Sequence, residues 1–106
     1  MNVDRERIAD ITSSIRTLID PKRIILFGSH ARGVSDDQSD IDLLVVDDSG
    51  RDKSIVSFEI SCALFPRDYG LDLLVESPED LKRKMGLQFW RDAISSGTVL
   101  YERSYP

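Results

Sequence analysis

Residues 23–46, RIILFGSHARGVSDDQSDIDLLVV, constrain the chain more than any other stretch. Positions 24–27 are β-branched, aliphatic or aromatic throughout, the composition of a buried strand. Gly28-Ser29 interrupts that run. A glycine there lets the backbone turn sharply and lets a ligand come close, because no Cβ stands in the way. A short helical turn beginning at Ser29 would aim free backbone N–H groups over Gly28, an arrangement that suits a phosphate. After a polar loop, Asp40-Ile41-Asp42 leads into the apolar run Leu43-Leu44-Val45-Val46, a second strand. Side chains alternate along a strand, so Asp40 and Asp42 share one face and Ile41 takes the other. Two carboxylates held side by side repel each other unless a cation lies between them. Mg²⁺ takes such oxygen ligands together with substrate phosphates. The segment therefore predicts a phosphate cradle followed by a metal clamp. The plainer alternative, two acids solvated at a strand edge, sits poorly with the apolar run that follows, where unpaired charge is costly.

A third acid is available downstream. Gly70-Leu71-Asp72-Leu73-Leu74-Val75 is another apolar run with one carboxylate near its start, and Leu-Asp-Leu-Leu-Val echoes Ile-Asp-Leu-Leu-Val at 41–45. If this strand pairs beside the second, Asp72 meets Asp40 and Asp42 at one end of a sheet. Three acids around two metal ions suit in-line attack on a phosphate, because the metals stabilise both the attacking and the leaving oxygens.

Gly28-Ser29, ten intervening residues and Asp40-Ile41-Asp42 resemble the signature of the DNA polymerase beta-type nucleotidyltransferase superfamily. The fuller pattern, Gly28-Ser29-His30-Ala31-Arg32-Gly33 with Ser39-Asp40-Ile41-Asp42, resembles its smallest branch, the minimal nucleotidyltransferases. These are typically the antitoxin half of HEPN/MNT toxin–antitoxin pairs. The resemblance extends to Asp72 and to the ending Gly97-Thr98-Val99-Leu100-Tyr101. It implies a small mixed β-sheet with helices packed on it. It also implies catalytic and metal-binding roles for Asp40, Asp42 and Asp72, and a nucleotide site formed by Gly28, Ser29, Arg32 and Ser39. Two Mg²⁺ ions and ATP are the implied cofactor and substrate. The implied reaction is transfer of AMP to a tyrosine of a HEPN ribonuclease toxin, which blocks the toxin and makes a heteromeric complex the expected state. Two alternatives stand beside it: neutralisation of the toxin by contact alone, and nucleotide transfer to a small molecule. The bland readings of the lesser residues also stay open. Arg32 pairs with triphosphate oxygens or with Asp36 or Asp37, Ser39 holds the loop, and His30 is an exposed turn residue.

At 106 residues the chain is expected to form a single domain spanning 1–106. No run approaches the ~20 apolar residues that a membrane-spanning helix needs, and the N-terminus has no signal-peptide pattern. Cys62 is the only cysteine, which suits a reducing compartment and makes the cytoplasm the expected location. The net charge of −5 lacks the positive field on which non-specific nucleic-acid binding depends. Long DNA or RNA is therefore not the expected substrate, whereas a nucleoside triphosphate arrives with its own cations.

Periodicity supplies the remaining elements. A helix is expected over 4–19, with Ile8, Ile11, Ile15 and Leu18 on one stripe, ended by Pro21. A second is expected over 52–65, with Ile55, Phe58, Cys62 and Phe65 on one stripe and Val56 and Ile60 nearby. Cys62 reads as a small buried apolar group. Ser77-Pro78-Glu79-Asp80 opens a third helix, with Leu81 and Met85 inward, which Gly86 breaks. A fourth covers 87–96 with Leu87, Trp90, Ala93 and Ile94 on its apolar side, and Gly97 follows it. Trp90 and Tyr101 read as core or interface aromatics. Residues 98–101 read as a short strand or an extended tail. A loop of about a dozen residues between the first two strands permits antiparallel pairing, so the expected class is α/β with a mixed sheet.

Overall fold

The computed structural model describes residues 3–28, 31, 33 and 40–104, with side chains from residue 5 onward. The chain runs α1 (Val3–Ile19), β1 (Arg23–Phe27), β2 (Ile41–Val46), α2 (Lys53–Ala63), β3 (Leu71–Glu76), α3 (Pro78–Lys84), α4 (Gln88–Ser95) and β4 (Thr98–Glu102). The four strands form one sheet in the order β3-β2-β1-β4. β1 pairs antiparallel with both β2 and β4, while β2 and β3 are parallel. The parallel pair is joined through α2, as a crossover requires. The mixed sheet is the expected one, and 98–102 proves to be its fourth strand.

Alternation along the central strands divides the core between two faces. Ile24, Leu26, Ile41, Leu43 and Val45 point to one side, where Ile11 and Ile15 of α1 and Val56 and Ile60 of α2 cover them. Ile25, Leu44 and Val46 point to the other, covered by Leu81 of α3 with Met85, Trp90 and Ile94 partly buried against them. β2 is buried on both faces, as the inner strand of a parallel pair must be, which is why it reads as an unbroken apolar run.

Local signals set the helix starts. Ser77 caps α3, its Oγ accepting from the Asp80 N–H at 3.1 Å, with Pro78 in the first turn and Lys82, Arg83 and Lys84 in the last. Asp52 caps α2 in the same way through the Ser54 N–H at 2.8 Å.

Three packing expectations are corrected. The stripe of Ile55, Phe58 and Phe65 lies outward: Phe58 is 68% exposed and Phe65 74% exposed, whereas Val56 and Ile60 are fully buried. Cys62, on the same outer face, is exposed rather than buried. Leu18 and Leu87 are exposed as well, because α1 and α4 each lay a narrower strip on the sheet than their apolar content suggests. Trp90 and Tyr101 are half-buried against the two cores, as expected.

Candidate active site

Sheet register builds the site. Phe27 of β1 pairs with Asp42 of β2, and Asp42 pairs with Asp72 of β3. The three residues form one row across adjacent strands, about 4.8 Å apart at each step. Parallel pairing without a slip puts Asp42 and Asp72 on the same face, the one that α3 and α4 partly cover. Asp42 is half-buried; Asp40 and Asp72 are exposed.

Two glycines make room for the acids. Gly28 has φ +74°, and a Cβ placed on it would collide with Oδ2 of Asp42 and stand 3.0 Å from its Cγ. Gly70 precedes β3, and its carbonyl accepts the Ile41 N–H at 2.9 Å. A Cβ there would collide with Oδ1 of Asp40 and reach 2.6 Å from its Cγ. The two carboxylates of the Asp-Ile-Asp motif thus lean in opposite directions, Asp42 toward β1 and Asp40 toward β3. Any side chain at either glycine would displace one of them.

A cavity of about 380 Å³ opens over this row. Its described lining is Phe27, Gly28, Asp42 and Asp72 from the sheet, and Phe89, Asp92, Ala93 and Ser96 from α4 and its C-terminal end. The size falls within the range of small-molecule sites, ~300–1,000 Å³. Three carboxylates and no lysine or arginine stand among these described lining residues. That donor chemistry, all oxygen and all anionic, fits a hard divalent cation. Asp40 lies beside the cavity rather than in its lining, and among the described residues no three His, Cys, Asp or Glu side chains are gathered into a metal-holding group.

Gly28, Asp40, Asp42 and Asp72 of the expected site are therefore brought to one end of the sheet. Ser29, Arg32 and Ser39 lie outside the described residues, as do His30 and the loop acids Asp36 and Asp37. Phe89 and Asp92 went unrecognised in the sequence. With Ala93 and Ser96 they recur at i, i+3, i+4 and i+7, a second helical stripe beside the apolar one formed by Trp90 and Ile94. An aromatic residue placed off the core-facing side was the available signal.

Acids side by side on a parallel strand pair, next to a glycine turn and under a ligand-sized cavity, suit the handling of a phosphate through a divalent cation. Residues 5–102 match the family model described as nucleotidyltransferase domain, and the chain belongs to that family of enzymes. It is 40% identical, over 82 residues, to a Methanocaldococcus jannaschii protein named "putative protein adenylyltransferase", covering 76% of this chain and 78% of that protein. Two solved structures share the fold. One is described as a "putative nucleotidyltransferase" from Sulfolobus solfataricus, with TM-score 0.62, 19% identity, and coverage of 91% of this chain and 78% of that one. The other is a toxin–antitoxin structure with AMP-PNP, with TM-score 0.60, 22% identity, and coverage of 91% and 74%. Among the described residues no helix is long and apolar enough to cross a membrane.

Proposed function

We propose that this nucleotidyltransferase moves AMP from ATP to a hydroxyl of a partner protein, a tyrosine of a HEPN-type toxin, and acts as its antitoxin. The observation that carries the reading is the register of Asp42 with Asp72 beside the Gly28 turn, open to one cavity. The adenylyltransferase name of the archaeal relative supports the choice of AMP and of a protein acceptor. The toxin–antitoxin neighbour, which carries an ATP analogue, supports the choice of partner and donor.

In this reading the triphosphate lies over Gly28 and Ser29, with Arg32 paired to its oxygens and Ser39 holding the loop ahead of Asp40. Asp40, Asp42 and Asp72 would hold Mg²⁺, with two ions in the full complex, and the metal would supply charge that offsets the triphosphate and the pyrophosphate. Asp72 lies nearest the acceptor and takes the hydroxyl proton. The acceptor oxygen bonds to the α-phosphorus, the bond from that phosphorus to the bridging oxygen breaks, and pyrophosphate leaves with the electron pair. Positioning and charge supply most of the rate.

Intact-mass spectrometry of the protein encoded beside this chain tests the reading, after incubation with the chain and MgATP. The expected result is a gain of one or more AMP units with the native chain and none with an Asp40→Asn, Asp42→Asn control. No gain with any nucleoside triphosphate, together with a stable complex of the two proteins, would replace transfer with neutralisation by binding.

A further inference from the structure

Phe89 is 59% exposed, and core packing does not account for its position. The α4 residues packed against the core are Trp90 and Ile94, on the neighbouring stripe. Phe89 instead forms an edge-to-face pair with Phe27, ring centroids 6.5 Å apart at 88°, and a second with Trp90 at 5.6 Å and 90°. Both phenylalanines line the same cavity as Asp42 and Asp72. A large apolar ring held in place by two aromatic neighbours, with water on its remaining surface and carboxylates close by, offers a flat platform beside a charged centre.

We infer that Phe89, supported by Phe27, is the stacking platform for the nucleobase of the donor triphosphate. The inference rests on the nucleotide-transfer reading above and adds to it the residues that grip the base. Position within the row distinguishes donor from acceptor. Phe27 and Gly28 lie on the β1 side of Asp42, where the phosphates are placed, and Asp72 lies on the opposite side, next to the acceptor. Phe27 is thus one strand from Asp42 and two from Asp72, and Phe89 packs against it from α4, within reach of the base of a nucleotide whose phosphates start at Gly28. The carboxylate of Asp92, one turn along α4 from Phe89 and in the same cavity, accepts hydrogen from N–H or O–H groups of a nucleoside. Its Oδ1 already takes the Gln88 Nε2–H₂ at 2.7 Å, which fixes its orientation. The platform reads a π-face and not a hydrogen-bond pattern, so it favours purines over pyrimidines by overlap.

Titration calorimetry on the full chain tests this with two probes, MgATP and magnesium tripolyphosphate, the second having no base or ribose. Phe89→Ala is expected to weaken MgATP binding about tenfold or more, the usual effect of removing one base–aromatic stack. Tripolyphosphate binding should stay at the native level, and Phe89→Tyr, which keeps the ring, should restore ATP binding. Native affinity of Phe89→Ala for MgATP would overturn the platform while leaving the transfer reading intact. Equal weakening of both probes would also overturn it, making Phe89 a prop for α4. Failure of the native chain to bind either probe would overturn the transfer reading and the platform together.

Discussion

Asp72 and Glu76 stand four residues apart on β3, at opposite ends of one strand, and only one of them is closed off from water. Asp72 is exposed at the mouth of the cavity. Glu76 is 4% exposed, and its two carboxylate oxygens accept from Nζ of Lys53 at 3.1 Å and Nζ of Lys84 at 2.6 Å. β2 repeats the contrast. Asp42 faces the cavity, while Asp47, 5% exposed, accepts the Ser49 N–H at 3.3 Å and its hydroxyl at 2.8 Å. A buried carboxylate is tolerable only with charge or hydrogen bonds at hand, so acids at the far end of the pair are committed to the fold. Asp42 and Asp72, at the glycine end, line the cavity instead. Acidity alone does not separate the two roles; what separates them is whether the fold buries the acid and supplies its partners, two lysines for Glu76 and Ser49 for Asp47.

The sharpest break of that contrast is Asp72→Asn. It should lower transfer by on the order of 10²–10³-fold, the usual result of losing one group that stabilises the transition state. Single-turnover transfer measures this, and a thermal melt run alongside should move by little, since the side chain is exposed. A large fall in melting temperature with activity retained would reverse the roles assigned to the two ends.

Glu76→Ala is the mirror experiment. It leaves two ammonium groups without their shared carboxylate, but Lys53 and Lys84 are 50% and 34% exposed and can turn to water. The expected cost is therefore about 1–2 kcal/mol of stability. In a chain of this size that lowers the melting temperature by roughly 4–8 °C per kcal/mol, with transfer at 20 °C preserved. Loss of transfer at full stability would place Glu76 in the site and erase the contrast.

The same contrast shows which parts of the molecule local sequence can specify. Strands, helix caps and the helix break at Gly86 were legible, because alternation, Ser77-Pro78 and a glycine act within a few residues of themselves. Asp42 and Asp72 were legible for the same reason, since alternation sets their face; the side-by-side pairing of Asp40 with Asp42 was not, because Asp40 precedes β2 and leans toward β3. The outward turn of α2 was not. Positions 55, 58, 62 and 65 make an apolar helical stripe, but so do 56, 60 and 64, and periodicity cannot rank them. The crossover from β2 to β3 decides, since it rolls Val56 and Ile60 onto the sheet and leaves Phe58 in water. Phe89 escaped notice because it falls off the stripe of Leu87, Trp90, Ala93 and Ile94, and nothing local shows that a cavity opens on that side of the helix. The pairing of Glu76 with Lys53 and Lys84 joins residues 23 and 8 positions apart, beyond what either neighbourhood reveals.

Acid titration sharpens the comparison with the smallest effect. Burial alone would raise the Glu76 carboxyl, but the hydrogen bonds from Lys84 and Lys53 outweigh it and hold the group below the usual glutamate range. A depressed folded-state value means that the unfolded chain binds its proton first. The stability this contributes is fully present above the unfolded value of ~4.3 and is lost as pH falls through the lower folded value. Chemical denaturation of the native chain should therefore show stability falling from about pH 4.3 downward, and the Glu76→Gln variant should lose less over the same interval. Asp48, held low by its hydrogen bond from Arg103, titrates in the same direction. The variant, not the slope of the native chain alone, isolates the contribution of Glu76. Identical pH profiles for the native chain and Glu76→Gln would mean that the two lysines do not hold this carboxylate, and the far end of β3 would then differ from the cavity end by burial alone.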